Sequence, residues 1–464
     1  MKKLQVLYIT AFFAACLVPS LGMAVTKKET SSENRKLAEF PKLKTEEGIN
    51  TQWLPQAGEY FQEHFALRNE FVTANALLNG KILGTSTADG VIQGTDGWLY
   101  YKDSLSDYLG EELLSERSLF NIAHTLSMMQ ENLENRGIQF LFTVAPNKNS
   151  LYGENMPYYD SIKVSGEKNL NNLQKYLEQE KISYADLYEM FSQEKEVLYH
   201  KTDSHWNNKG AAMAAEKLLS VLRKEHASYA EEPYKVKTDF IGDLDEMLYP
   251  LATTPDEEIY YDKETTFAYV GEVGSNFDPK ITTVNPVKSG SLVMFRDSFG
   301  NALLPFMANA YANAYFSRGV PYQLSEVEAK NADTVVVERA ERFLPEMAQS
   351  PPVMEGPERN VIVTEDDAVS DGADMQTQAM GNLVKITGYI SEKYLNTKSR
   401  IYIRVNNDKI YEAFPMDVSM EDGSADSNGF CLYLDSSKLA ADGNQFDILT
   451  GDNNSAHITG ELTL

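Results

Sequence analysis

Cysteine is nearly missing from this chain: 464 residues hold two, Cys16 and Cys431. Cys16 falls in an apolar leader, so the remainder has no internal disulfide and must rely on a packed core. Basic residues are also short. Lys and Arg number 42 against 68 Asp and Glu, for a net charge of −26 and a pI near 4.7. That balance argues against nucleic acid, whose phosphates call for a cationic surplus, and against adsorption to an anionic membrane surface through charge. The surplus acid reads as a solvated surface and selects no substrate. Histidine is sparse, at six residues. His64, His124, His200, His226 and His457 show no ligand spacing, so no metal site is expected. No glycine-rich phosphate loop is present, and no cofactor is expected either.

One long apolar run stands out, residues 4–25, with Gln5, Thr10 and Ser20 as its polar members and Pro19 interrupting it. Behind Met1-Lys2-Lys3 it has the pattern of a secretory signal, and Gly22-Met23-Ala24 offers small residues for cleavage. At roughly 20 residues it is also long enough to remain as a membrane anchor. The residues leave both outcomes open. Phe13-Ala14-Ala15-Cys16 resembles a lipoprotein cleavage box only faintly. Either way the body of the protein is expected outside the cytoplasm. Residues 1–25 are thus signal or anchor, and the polar stretch 26–52 reads as a tether.

Residues 53–349 read as an α/β domain. The stretch 53–83 looks helical, and Gly94-Thr95-Asp96-Gly97-Trp98-Leu99-Tyr100 is a turn into a strand. Leu119, Ile122, Leu126, Met129 and Leu133, spaced by three and four, form one helix face, with Gly137 as its stop. Short apolar strands are expected at 138–145, 182–185, 292–295 and 334–337, and helices around 170–177 and 211–222. Helix alternating with short apolar strand implies a parallel sheet covered on both faces. Residues 350–357, rich in proline, read as a linker. After it, runs at 360–364, 383–389, 400–405, 409–414, 429–434 and 445–449 are short and β-rich, with Asn406-Asn407-Asp408 a hairpin candidate. They predict a separate β-sandwich over 358–464. Its Tyr389, Tyr402, Tyr411 and Tyr433 are candidates for stacking on sugar rings, though aromatic residues in strands usually pack.

Two segments carry chemistry. Thr202-Asp203-Ser204-His205-Trp206-Asn207-Asn208-Lys209-Gly210 offers an acid and an imidazole two residues apart. Phe295-Arg296-Asp297-Ser298-Phe299-Gly300 offers a serine just past an apolar strand, where α/β folds place their sites. Serine is a poor nucleophile at neutral pH. It needs an imidazole to take its proton and a carboxylate to hold that imidazole in the right tautomer. Gly300 and the apolar residues after it predict a helix whose N–H groups would face a developing oxyanion.

These segments resemble the DHHW family, related to the alginate O-acetylation proteins and the SGNH hydrolase superfamily. The resemblance covers most of residues 32–345. It includes Glu33-Asn34-Arg35 with Leu37-Ala38-Glu39-Phe40-Pro41, the 94–100 motif, Pro146-x-Lys148, Gly242-Asp243-Leu244, and Glu341-Arg342. It implies an SGNH hydrolase-like parallel sheet with flanking helices, Ser298 as nucleophile, His205 as general base then acid, and Asp203 as orienting carboxylate. Trp206 is expected to pack the pocket wall. Lys148 and Arg342 are candidates for the pocket mouth, Lys148 alternatively solvated and Arg342 alternatively an ion-pair partner of Glu341. The chain departs from the family pattern twice. Ser204 replaces the first His, and Arg296 stands where a small Gly commonly precedes Asp-Ser. Arg296 would reshape the nucleophile turn or set a cation near the pocket.

The resemblance implies an extracytoplasmic O-acetyltransferase acting on a polysaccharide, with a membrane-bound O-acyltransferase as acetyl supplier. The alternatives are an acetylesterase using the same three residues, and a non-catalytic glycan-binding or scaffold protein of a polysaccharide export system.

Overall fold

The computed structural model describes residues 2–23, 38–45, 48–83, 88–226, 228–230, 232–364, 373–420, 425–440 and 443–463. Glu33, Asn34, Arg35, Leu37 and much of the expected tether lie outside them. The apolar run forms α1 (Lys2–Gly22), long and apolar enough over Lys3–Gly22 to cross a membrane by length and composition. The helical stretch at 53–83 is two helices, α2 (Trp53–His64) and α3 (Arg68–Leu83). The break falls where Phe65 is extended and Leu67 takes a left-handed conformation at φ 65°. A hairpin follows, β1 (Val91–Gln93) and β2 (Leu99–Tyr101), turned through Asp96 and Gly97, both at positive φ.

The central sheet draws on strands far apart in the chain. After α4 (Glu116–Glu134) comes β3 (Gln139–Ala145), then α5 (Asn169–Gln179), β4 (Tyr184–Ala185) and α6 (Asn208–Val221). The ribbon β5 (Tyr234–Phe240) and β6 (Asp256–Tyr261) brackets α7 (Asp243–Leu248). Next come β7 (Ala268–Tyr269), β8 (Lys280–Val284), β9 (Ser291–Phe295), α8 (Gly300–Ala308), β10 (Asn313–Ser317), α9 (Leu324–Ala329) and β11 (Thr334–Ala340). The strand order is β4-β3-β11-β9-β10-β8-β7. Five strands are parallel, as the alternation of helix and apolar strand implied; β8 and β7 extend that sheet antiparallel.

Side chains alternate across a strand, and both faces are covered. Val293 and Phe295 of β9 pack with Phe142, Val335 and Val337 beneath α4 and α5. Leu292 and Met294 point the other way, to Leu141, Val336 and the inner residues of α6 and α8. β3 and β11 end in register, Ala145 beside Ala340, and β9 stops earlier between them, Phe295 beside Val337. The loops leaving their C-terminal ends therefore meet at one sheet edge.

The C-terminal part is a single nine-stranded sheet that curls on itself. Its strands are β12 (Glu358–Arg359), β13 (Ile362–Thr364), β14 (Ala373–Met380), β15 (Leu383–Ile390), β16 (Arg400–Val405), β17 (Lys409–Ser419), β18 (Ala425–Asp435), β19 (Gln445–Gly451) and β20 (Ser455–Thr463). The order is β13-β20-β19-β16-β17-β18-β15-β14, with β12 on β17. Asn406 and Asn407 turn β16 into β17, both at positive φ as a tight hairpin turn requires. The long β17 takes part in both layers, with a bulge between Met416 and Val418. Between the layers lie Ile386, Ile401, Ile403, Phe430, Leu432 and Phe446. β14 and β20 escaped the sequence reading; β14 has polar residues between Ala and Met and is mostly exposed, so it shows no buried apolar run. Tyr402, Tyr411 and Tyr433 are buried and present no face to a sugar, while half-buried Tyr389 donates to Asp426 at 3.0 Å.

The 350–357 segment is tied down rather than loose. Val353 and Met354 are buried. The Val353 N–H donates to the Tyr322 carbonyl at 2.8 Å, and the Gly356 N–H to the Tyr433 carbonyl at 3.0 Å. α4 lies on β17, and Phe414, Cys431 and Tyr433 belong to the same apolar cluster as Leu119, Ile122 and Leu126. At that contact His124, 1% exposed, faces Glu180 at 3.0 Å through Nδ1 and Glu412 at 2.9 Å through Nε2. Glu412 also accepts from Arg359 at 2.6 Å and Arg400 at 3.2 Å. Burial alone would lower the His124 pKa, but the two carboxylates raise it above its ordinary value. The same partners hold Glu412 down to about 2 against its burial.

Removing one partner of a buried pair strands the other's charge. Glu412→Ala is expected to cost about 3 kcal/mol of stability in chemical denaturation at pH 6. The His124 contribution is fully present below pH 6.5 and fades as pH rises through its raised folded value. The penalty measured for Glu412→Ala should therefore shrink in alkaline buffer.

Candidate active site

Residues 200–205 form a loop whose neck is closed by an antiparallel bridge between Tyr199 and Trp206 and by the Asn207 N–H donating to the Leu198 carbonyl at 2.9 Å. Asn207 then caps α6, its side chain accepting from the Gly210 N–H at 3.0 Å. Inside the loop sits the Lys148 ammonium. It donates to the carbonyls of His200 at 3.0 Å, Lys201 at 3.0 Å and Asp203 at 2.6 Å, so all three of its hydrogens are used. The rings of Tyr100 and Trp98 lie 5.1 and 5.5 Å away. Burial pushes Lys148 down to about 7, against the pull of Asp203, Asp243 and Asp256. The expectation that Lys148 faces the pocket mouth is corrected: it is a buried cation beneath the loop.

The 94–100 motif now has a role. Its aromatic residues face Lys148, and the Leu99 N–H donates to the Lys201 carbonyl at 2.8 Å. Asp256 holds the other side of the loop, accepting from the N–H groups of Lys201 at 2.6 Å and Thr202 at 3.1 Å.

This loop carries Asp203 and His205 to the edge where β9 ends. His205 Nδ1 lies 2.7 Å from Asp203 Oδ1, and His205 Nε2 lies 2.8 Å from Ser298 Oγ. The carboxylate keeps a proton on Nδ1, which leaves Nε2 as the acceptor for the Ser298 hydroxyl. Burial lowers the His205 pKa, yet the charge and hydrogen bond of Asp203, with Asp243 beside it, carry it above its ordinary value. Asp203 is held well below the usual carboxylate range in spite of burial, chiefly by His205.

Ser298 sits between β9 and α8. Asp297 pins the turn, accepting from the N–H groups of Phe299 at 2.9 Å and Ala340 at 2.6 Å. Its own N–H donates to Glu338, a buried carboxyl whose pKa burial and Asp297 push far up. Arg296 points away from the pocket into the protein. Its guanidinium donates to the carbonyls of Asn276 at 2.8 Å, Asp278 at 3.1 Å and Asp297 at 3.1 Å, and to Asn301 Oδ1 at 2.5 Å. Arg296 has no positive φ, so no glycine is needed there. The space is made at Gly300, where a Cβ would lie 2.7 Å from Arg296 Cβ. The expected cation near the pocket is thus a structural brace.

A cleft of about 1050 Å³ opens over Ser298, His205 and Ser204. Tyr101, Asp243, Phe277, Arg318, Arg342 and Phe343 line it, and α2 and α3 supply Glu59, Glu63 and Arg68 at its rim. Arg342 packs against Phe343, Tyr101 and Phe299, its guanidinium 4.9 to 5.4 Å from the three ring centroids. It does not pair with Glu341, which instead accepts from the Asn147 N–H at 2.8 Å. Trp206 is buried behind the site, with Phe299 at 4.8 Å and Phe191 at 6.0 Å. Asp243, Asp256, Arg318 and the α2–α3 contribution were not singled out as site residues from sequence. The Gly242-Asp243 motif was a signal for the first, and nothing in the sequence marked the others.

Residues 91–268 match the family model described as "SGNH hydrolase-like domain, acetyltransferase AlgX". Over those residues the chain is similar to that SGNH hydrolase-like domain. The matched stretch contains Asp203 and His205 and stops short of Ser298. Among curated proteins, the chain is similar to the "Probable alginate O-acetylase AlgJ" of Pseudomonas fluorescens, 24% identical over 253 residues. That alignment covers 48% of this chain and 62% of the relative, less than two thirds of its length. Among solved structures it is similar to a DHHW family protein from Eubacterium siraeum (16% identity, 55% of this chain and 94% of that one, TM-score 0.42). Bacillus cereus PatB1 is similar at 17% identity over 55% of this chain and 96% of that one, with a TM-score of 0.43.

If Arg296 is a brace rather than a pocket cation, Arg296→Gly should lower stability by about 2–4 kcal/mol through its lost hydrogen bonds and packing. Thermal and chemical unfolding measure that loss. The rate at which Ser298 reacts with a small sulfonyl fluoride should stay within a few-fold of the parent below the melting transition.

Proposed function

We propose that this chain is an O-acetyltransferase working outside the cytoplasm, passing an acetyl group through Ser298 to a hydroxyl of a cell-surface or secreted polysaccharide. The observation that carries the reading is the hydrogen-bonded chain Ser298–His205–Asp203, at 2.8 and 2.7 Å, in the floor of an open cleft. The AlgX-type domain match and the acetylase relative support the acetyl and polysaccharide parts, and α1 supports the location.

Ser298 Oγ attacks the carbonyl carbon of an acetyl ester while His205 Nε2 takes its proton. The tetrahedral oxyanion forms beside the N-terminal end of α8, where backbone N–H groups and the Arg342 guanidinium offer positive charge. On collapse the C–O bond of the donor breaks and His205 returns the proton to the leaving alkoxide. The acetyl-Ser298 ester is then attacked by a polysaccharide hydroxyl, whose proton His205 removes and hands back to Ser298 Oγ. Asp203 stabilises the imidazolium in both halves. A membrane-bound O-acyltransferase is the proposed source of the acetyl group.

Intact-mass measurement after incubation with an activated acetyl ester tests the first half. A transient acetyl adduct is expected, absent in Ser298→Ala, with turnover reduced on the order of 10⁴-fold or more in that variant. Discharge of the adduct to added oligosaccharide marks a transferase, and discharge only to water an esterase. Turnover unchanged in Ser298→Ala would sink the assignment.

The base must be neutral to accept a proton. Because His205 is held above its ordinary pKa, kcat/KM should climb with pH and reach its plateau only above pH 6.5. A plateau already complete at pH 6 in a pH–rate profile would contradict this.

A further inference from the structure

The Gly242-Asp243-Leu244 motif has no part in the chemistry above, yet together with Asp245 it is clasped to the His205 loop at four points. The Asp243 N–H donates to Asp203 Oδ2 at 2.8 Å, the oxygen that His205 does not use. Asp243 Oδ1 accepts from the Ser204 N–H at 2.8 Å, and Oδ2 accepts from the Ser204 hydroxyl at 2.6 Å. The Asp245 N–H donates to the Thr202 carbonyl at 3.1 Å. Gly242 permits the approach, because a Cβ there would lie 2.2 Å from the Thr202 carbonyl oxygen. Asp243 Oδ2 ends 3.6 Å from His205 Nδ1, and the Ser204 hydroxyl between them is 3.2 Å from the same nitrogen. Asp203, His205 and Asp243 crowd their ligand-type atoms within 4.8 Å, but hydrogen bonds within the loop and to Ser298 already occupy them.

We propose that Asp243 is a positioning residue. It fixes the Asp203 carboxylate through its N–H and sets a second negative charge beside His205 Nδ1, so that the imidazolium formed when Ser298 gives up its proton has two carboxylates at that nitrogen. Ser204, in place of the first His of the family motif, is the bridge that makes this contact. The inference rests on His205 serving as base to Ser298. Asp203 and Asp243 face the His205 ring with negative charge, and Arg342 opposes them from the cleft wall. Phe299 packs the ring at 4.8 Å, Tyr101 lies near Asp243, and Lys148 and His200 act on Asp203. Asp243 itself is held above its ordinary value by burial and by the Asp203 charge, so its effect grows as pH rises through that value.

The test uses the full chain in detergent and two readouts. One is the titration of His205 followed by NMR of ¹⁵N-labelled histidine, assigned with His205→Gln. The other is the pH dependence of Ser298 sulfonylation by phenylmethanesulfonyl fluoride. In that reaction the Oγ–S bond forms, fluoride leaves, and His205 takes the proton. Asp243→Asn should lower the His205 pKa by about one unit and move the acid limb of sulfonylation down with it. Its plateau rate should fall about tenfold through lost orientation. Asp243→Glu, which keeps the charge, should hold the pKa near the parent's while the plateau still falls. Should the Asn variant not fold, Asp243→Ser is read the same way. A His205 titration unmoved by removal of the 243 carboxylate overturns the proposal. The NMR readout needs no turnover, so failure of the acetyltransfer reading would show separately, as turnover indifferent to Ser298→Ala.

Discussion

One buried ammonium organises this site. Lys148 gathers the carbonyls of His200, Lys201 and Asp203, and a loop that converges three carbonyls on a point needs a cation there. The charge is taken out of water at a cost offset by those carbonyls, by the nearby carboxylates and by the faces of Tyr100 and Trp98. With the ammonium in place, the loop has one shape, and Asp203 and His205 leave it in fixed directions. Asp256 and the β1–β2 hairpin close its other sides, so segments from three other regions of the chain meet on six residues.

The partner half of the site is built on a different constraint. Ser298 stands at the end of β9, and its turn is held by Asp297, Glu338 and the Arg296 guanidinium, all buried. Both halves meet at the C-terminal edge of the parallel strands, where β9 stops at Phe295. Rigidity there follows from the parallel core, whose strands are wrapped in apolar side chains on both faces. The open side is covered differently, by the rim of α2 and α3, whose exposed apolar residues contrast with the buried floor.

The curled C-terminal sheet is an extension of the same body. α4 presents its face to β17, and the His124–Glu412 pair with Arg359 and Arg400 closes that contact with charges that satisfy one another. The segment at 350–357 reads as a linker by its prolines, but those prolines shape a buried crossing rather than a free joint.

The sequence by itself determined the alternation of helix and apolar strand, the hairpin at Asn406-Asn407, the break into a β-rich second part, and the two segments that meet at Ser298. These are local signals, period and turn chemistry, legible wherever neighbours in the chain decide the outcome. Tertiary structure alone decided the rest. Lys148 reads in sequence as a pocket-mouth or solvated cation and Arg296 as a pocket cation or a reshaper of the nucleophile turn; both are buried braces, because which carbonyls a long side chain reaches depends on loops brought together from afar. Arg342 keeps to the cleft while its neighbour Glu341, in the same short helical turn after β11, turns inward to the Asn147 N–H. Asp243 acquires its place beside His205 only when a glycine lets two distant loops touch.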